Sequence, residues 1–252
     1  MQVKQADNVL SILEFFAEHR SPATVAELAQ HFGWARSSTF NIVGTLADRG
    51  YLYEPRMRGA YFPTPRWLIM ARQIADADPV PQSLIRVIDR LVEDTDETVW
   101  IAGASGLHVV VLEVRESPQL LRYAAQAGTR LPIHVTGSGQ ALMALMPVAQ
   151  RDALLGRIRY QSYNRNSPTS ADEVRAQIDA SLARGWFMSA SAYSSDLGGV
   201  SLPVVIGAQA FAVTVAGPEA RVLPRMDQIG AMIRTAISDE CGADCLPLPA
   251  PA

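Results

Sequence analysis

Arg36, Ser37, Ser38, Phe40, Asn41 and Thr45 crowd one short stretch, GWARSSTFNIVGTLADRG, and all have side chains suited to nucleic acid. A guanidinium pairs with guanine or phosphate, serine hydroxyls reach phosphate oxygens, a carboxamide matches adenine, and a phenyl ring lies against a thymine methyl. Between them Thr39, Ile42, Val43 and Leu46 repeat at helical spacing, so one face turns inward and these nucleic-acid-binding groups turn outward. Two more cations, Arg56 and Arg58, stand beside Gly59 in YLYEPRMRGAYFPT, which reads as two short strands around a turn. An arginine pair at such a tip can follow the phosphate backbone or enter a minor groove. The plainer alternative is a solvated face on a small helical bundle.

A second candidate lies in VTGSGQALMALM. Gly137 and Gly139 allow a tight turn, and the amides there sit where the next helix begins, a position that favours a carboxylate. The competing reading gives these glycines only a packing role. Ser138 as a nucleophile, with His134 or His108 as base, lacks the G-x-S-x-G elbow and an aspartate to orient the imidazole. Cys241 and Cys245 stand at C-x3-C spacing without further ligands nearby, so free thiols are expected and neither a metal nor a cofactor is. His19 and His31 read as surface residues.

Elements must hold these groups in place. The 252 residues, 48% hydrophobic and 19% charged, suffice for two soluble domains, and no apolar run reaches the roughly 20 residues of a membrane span. The first residues, MQVKQADNVLSILEFF, carry acids where an export signal needs an apolar run, so a cytoplasmic location is expected. Net charge is −3, but residues 1–66 hold seven Lys/Arg against six Asp/Glu, and residues 33–66 hold five arginines against Asp48 and Glu54. The positive excess therefore coincides with the candidate DNA-facing stretch.

DNVLSILEFFAEH forms a first helix with Asp7 as N-cap and Val9, Leu13 and Phe16, beside Leu10 and Ile12, inward. Thr24 and Glu27 make a capping box for a second, which Gly33 ends. Two helices about a short glycine turn, followed by the hairpin, describe a winged helix-turn-helix over residues 1–64. A linker helix spans 65–81, where Pro79 and Pro81 interrupt it. Residues 82–241 read as an α+β sensor domain: a helix with Leu84, Val87, Ile88, Leu91 and Val92 inward, a hairpin, a strand QLLRYAAQA, a helix capped by Ser170 and Glu173, three more strands, and a closing helix from about Pro224 to Cys241. The proline-rich tail, 242–252, is expected to be disordered.

Taken together, DNVLSILEFFAEH, VAELAQHFGWARSSTFNIVGTLADRGYLYE, RLPIHVTGSGQALMA, the helix ending ARGW and AFAVTVAGP resemble, in order over residues 5–240, the IclR family of bacterial transcription regulators. That resemblance implies a GAF-like effector domain, a homodimer or homotetramer, a palindromic double-stranded operator, and a small organic acid that alters DNA binding or contact with RNA polymerase. It also places effector contacts at Leu120, Tyr123, Leu131, Gly137, Ser138, Ser189, Leu197, Gly199, Thr214 and Ala216. Departures from the family pattern are Gly199 for a Cys or Ser, Ser189 for an Asp, Ala216 for a second Ser, and Asn41 for an Arg. Smaller and less polar side chains imply a roomier pocket, to which Trp100, Trp186 and Tyr123 add aromatic surface, so an aromatic carboxylate is the expected effector. The alternative from another class is an enzyme acting on small molecules, with the helical bundle serving assembly; a third is a DNA-binding protein whose second domain binds nothing.

Overall fold

The computed structural model describes residues 3–55, 59–77 and 80–248 and divides into two compact units, 1–79 and 80–252. In the first, α1 (Lys4–His19), β1 (Ala23–Thr24), α2 (Val25–Phe32) and α3 (Arg36–Asp48) precede β2 (Leu52–Tyr53), β3 (Ala60–Pro63) and α4 (Arg66–Ala77). The strands form a small antiparallel sheet in the order β1-β3-β2, with Tyr53 opposite Phe62. Ile12, Phe16, Leu28, Val43, Leu46 and Leu52 make its core.

The capping box of α2 is present in both directions: Glu27 N–H donates to Thr24 Oγ1 at 3.2 Å, and Thr24 N–H donates to the Glu27 carboxylate at 2.7 Å. Gly33 ends α2 at φ +67°, a left-handed conformation that costs glycine little. The start of α1 differs from expectation. Val3 precedes it without a side-chain cap, Asp7 lies within the helix, and the buried positions are Asn8, Ile12 and Phe16, while Leu10 is exposed. A strict i, i+4 ladder faces the core, so the neighbouring leucine is rotated away.

The second unit is a six-stranded antiparallel sheet in the order β6-β5-β4-β9-β8-β7. Its strands are β4 (Thr98–Ser105), β5 (His108–Arg115), β6 (Arg130–Pro132), β7 (Phe187–Ala190), β8 (Leu197–Ile206) and β9 (Gln209–Pro218). On one face α5 (Gln82–Thr95) and α10 (Met226–Cys241) bury Leu84, Val87, Ile88 and Leu91 with Ile229, Ile233 and Ile237. The opposite face carries a second core, where Ala141, Leu142 and Met143 of α6 (Gly137–Ala144) and Val174 and Ile178 of α8 (Ala171–Arg184) pack with Trp100, Leu131, Ile133 and Phe187. Helices α7 (Val148–Leu155) and α9 (Glu219–Val222) complete the chain, and neither is apparent in the sequence pattern. The fold is thus mixed α+β with helices on both sides of one sheet.

Two expectations are corrected in this unit. The segment 119–127 is not a strand: Thr98 Oγ1 donates to Tyr123 O at 2.7 Å, so a side chain occupies an acceptor that a ladder would use. Ser170 caps α8 as expected, accepting from Glu173 N–H at 3.2 Å, while the Glu173 carboxylate accepts from Thr169 N–H at 2.9 Å. Nor is the tail loose as far as Leu248. Residues Ala243–Cys245 form a 3-10 turn, Leu246 and Leu248 pack on the two cores, and Arg234 donates to Leu248 O at 2.9 Å. Among the described residues no helix is long and apolar enough to cross a membrane.

Candidate functional site

In the first unit, α3 presents Arg36, Ser37, Ser38, Phe40, Asn41 and Thr45 to solvent, while Thr39, Val43 and Leu46 are buried and Ile42 is half-buried. The helix has no side-chain cap and no acid in its first turn. Its unpaired amides and the positive end of its dipole therefore add to Arg36 in attracting phosphate. Phe40 is 62% exposed, an uncommon placement for a phenyl ring unless a partner covers it. Arg36, Ser37, Phe40 and Asn41 border an open cleft of about 440 Å³ with Val25 and Ala26 at the start of α2. Thr45 is less available, because its hydroxyl donates to Asn41 O at 2.7 Å and only its lone pairs remain. Arg56 and Arg58, the expected wing cations, lie outside the described residues.

The second unit holds a cavity between the sheet and the start of α6. Trp100, Tyr123, Leu131, Gly137, Ser138, Ser189, Leu197, Gly199, Thr214 and Ala216 all line it. Leu120 does not: it is fully exposed, and the loop turns its side chain away from the wall that Tyr123 forms. Thr136, Tyr193 and Ser201 are lining residues that sequence reasoning missed. Ser201 was legible, since it follows Gly199 by two on a strand and must share its face. Tyr193 comes from an irregular loop and leaves no periodic signal.

Two glycines at this loop have different work. A Cβ on Gly139 would lie 1.9 Å from the Ile133 carbonyl oxygen, so this glycine exists to let α6 touch the backbone beside it. Its amide donates to Thr136 Oγ1 at 3.2 Å and is not offered to a ligand. Thr136 thereby caps α6, and the amides of Gly137 and Ser138, the first two of the helix, are not taken by this cap. Across the cavity, Ser201 and Thr214 share a hydroxyl hydrogen bond of 2.8 Å. The Trp100 indole N–H is buried without a partner among the described residues. Polar groups thus converge on a mostly apolar chamber, the arrangement expected for orienting a small ligand.

The roomier pocket expected from small side chains is absent. The cavity is small, about 30 Å³, because Trp100 and Tyr123 meet with ring centroids 5.6 Å apart and Tyr193 closes in beside them. Burial raises the Tyr123 pKa, and the nearby Tyr193 adds to the effect, so the phenol stays neutral. Trp186 does not add to this wall; it lies in the opposite core, beneath the Arg184 guanidinium.

Nothing in the site forms a nucleophile and base. Ser138 Oγ reaches only Thr136 Oγ1, at 3.5 Å, and the His134 ring lies against Tyr160 and Tyr163 with its Nε2 buried and unpartnered. Burial lowers the His134 pKa. His108 is bonded to Arg130 at 3.2 Å on the surface. Among the described residues no cluster of His, Cys, Asp or Glu could hold a metal ion.

An exposed recognition helix in one unit and a closed chamber with converging polar groups in the other define a DNA-binding regulator with a ligand-binding domain. Residues 5–56 match the IclR helix-turn-helix domain and residues 73–241 match the bacterial transcriptional regulator IclR C-terminal domain; the chain belongs to the IclR family. It is 23% identical over 237 residues to the acetate operon repressor of Salmonella typhimurium, covering 92% of this chain and 86% of that protein. With the transcriptional repressor IclR of Escherichia coli the identity is 24% over 243 residues, again 92% and 86%. Among solved structures, the IclR protein of Thermotoga maritima superposes with a TM-score of 0.78 at 16% identity, covering 96% of this chain and 100% of that one. An IclR homologue from Microbacterium hydrocarbonoxydans complexed with 4-hydroxybenzoate superposes with a TM-score of 0.72 at 18% identity, covering 95% and 99%. These relatives are transcription regulators, and the chain is a regulator rather than an enzyme.

Proposed function

We propose that this regulator acts in the cytoplasm as a homodimer or homotetramer on a palindromic operator, with an aromatic carboxylate as effector and RNA polymerase as a further partner. The observation that carries the DNA half is the uncapped, outward N-terminal edge of α3, where Arg36, Ser37, Ser38, Phe40 and Asn41 would meet the major groove. Thr45 joins them through its lone pairs, and Arg56 and Arg58 would contact the backbone or minor groove from the wing. Each chain offers one such helix and so reads one half-site. Helix α4 supports pairing of two chains, since it buries none of its residues and leaves Leu68, Ile69 and Ile74 more than half exposed.

The effector reading rests on the chamber. A carboxylate would take the amides of Gly137 and Ser138, with the Ser138 hydroxyl, whichever of the paired Ser201 and Thr214 hydroxyls keeps its proton free, and the Trp100 indole as further donors. An aromatic ring would replace Tyr123 and Tyr193 between Trp100, Leu131 and Leu197, and Ser189, Gly199 and Ala216 would complete the wall. Leu120 becomes an effector contact only if its loop folds inward. The Microbacterium structure, solved with 4-hydroxybenzoate, favours this class of ligand.

Binding of the full-length protein to its own upstream DNA tests the proposal. Affinity should fall steeply with salt, and Arg36→Ala should lower it about tenfold or more and reduce the salt slope by about one. Weak binding that is indifferent to both would overturn it. For the effector, 4-hydroxybenzoate should raise the melting temperature and shift operator affinity, whereas a ligand-free structural domain would show neither.

A further inference from the structure

We propose that the sensor domain carries a second small-molecule site, for a hydroxylated monocarboxylate, in a cleft between α8, the edge strand β7 and the loop leading into α6. The cleft holds about 240 Å³, against about 30 Å³ for the first chamber. Gln177, Ser181 and Arg184 form its wall at i, i+4 and i+7 on α8, with Gln140 and Asn166 joining from other elements. Ser189 lines this cleft and the first chamber alike, so β7 is a partition between them.

Unmatched polarity sets the ligand class. Arg184 is fixed over the Trp186 ring at 4.1 Å, and its Nη2 donates to Ser181 Oγ at 3.1 Å. Its Nε is buried without a partner, and among the described residues no carboxylate forms an ion pair with it. Burial lowers its pKa, with Asp227 opposing only through space. A half-buried cation without a counterion is stabilised by an anion that enters beside it.

The amides complete the description. Gln140 Nε2 donates to His134 O at 3.1 Å and to Gln177 Oε1 at 2.6 Å, which leaves Gln140 Oε1 as an acceptor and Gln177 Nε2 as a donor. Asn166 Nδ2 donates to Ala190 O at 2.9 Å and keeps its Oδ1. One cation, one donor and two acceptors suit a single carboxylate bearing hydroxyl groups; a second carboxylate would find no cation.

Titration calorimetry on the full-length protein tests this with D-gluconate and glycerate as probes, sorbitol as the uncharged polyol and hexanoate as the acid without hydroxyls. At least one probe should bind saturably, with sorbitol and hexanoate weaker by about tenfold or more. Arg184→Gln should lose about tenfold in affinity, and Gln177→Ala, which leaves the stacked guanidinium in place, should lose severalfold. If Arg184→Gln does not fold, Gln177→Ala decides. The proposal is overturned if neither probe binds at up to about 10 mM, if sorbitol binds equally well, if the folded variants bind as the parent does, or if 4-hydroxybenzoate displaces the probe.

Discussion

Gly139 and His134 show how a single position near the ligand chamber can serve the fold rather than the ligand. Because a methyl group at Gly139 would overlap the Ile133 carbonyl, Gly139→Ala should destabilise the protein by about 2–3 kcal/mol in denaturant titration. A Cβ at Gly137 would meet the Ser201 hydroxyl at 3.0 Å, the Met188 carbonyl carbon at 3.3 Å and the Phe187 carbonyl oxygen at 3.5 Å, a milder contact that Gly137→Ala can relieve by small shifts. It should cost less stability and more ligand affinity, a reversal that separates the two glycines. His134 has a folded pKa below its unfolded one, because burial penalises the cation. The unfolded chain therefore binds the extra proton first, and stability present above about pH 6.5 is lost as pH falls below it. His134→Gln should flatten stability in that window; an unchanged slope would assign the acid sensitivity elsewhere.

Helix α4 carries its prediction on its surface. Replacing Leu68 and Ile69 together by Glu should leave the fold of each unit intact, because neither is buried, yet shift the protein toward monomer in sedimentation and weaken operator binding by about tenfold or more. Unchanged assembly would place the interface on another element. The helices were largely legible in the sequence where local chemistry sets their ends: Thr24 with Glu27, Gly33, and the stripe through Thr39, Val43 and Leu46. Legibility failed where distant contacts decide. The extended segment at 119–127 looks like a strand until Thr98 claims its carbonyl, and α1 keeps its polar Asn8 inward because the α3 and β3 contacts set its rotation. Nine of the thirteen residues of the chamber wall were nameable by resemblance to the IclR family, but not its volume, since no pattern reports that Tyr123 and Tyr193 fold into the space.

Two units joined near residue 79 give the molecule a division of labour that can be cut. A chain beginning at Val80 keeps the six-stranded sheet, both of its cores and every lining residue of the chamber. It should still show the carboxylate-induced rise in melting temperature while losing all DNA binding; loss of both would mean that the chamber depends on the first unit. Under the proposed function, the filled chamber would also set the concentration at which the regulator reacts. A receptor that stores its own rings where the signal must sit has an apparent affinity reduced by the rarity of its vacated form. Trimming that stopper, as in Tyr123→Ala, should make the protein respond at roughly tenfold lower effector. The aromatic plug would then be a detection threshold written in side chains, one that selection could raise or lower without touching the groups that bind the carboxylate.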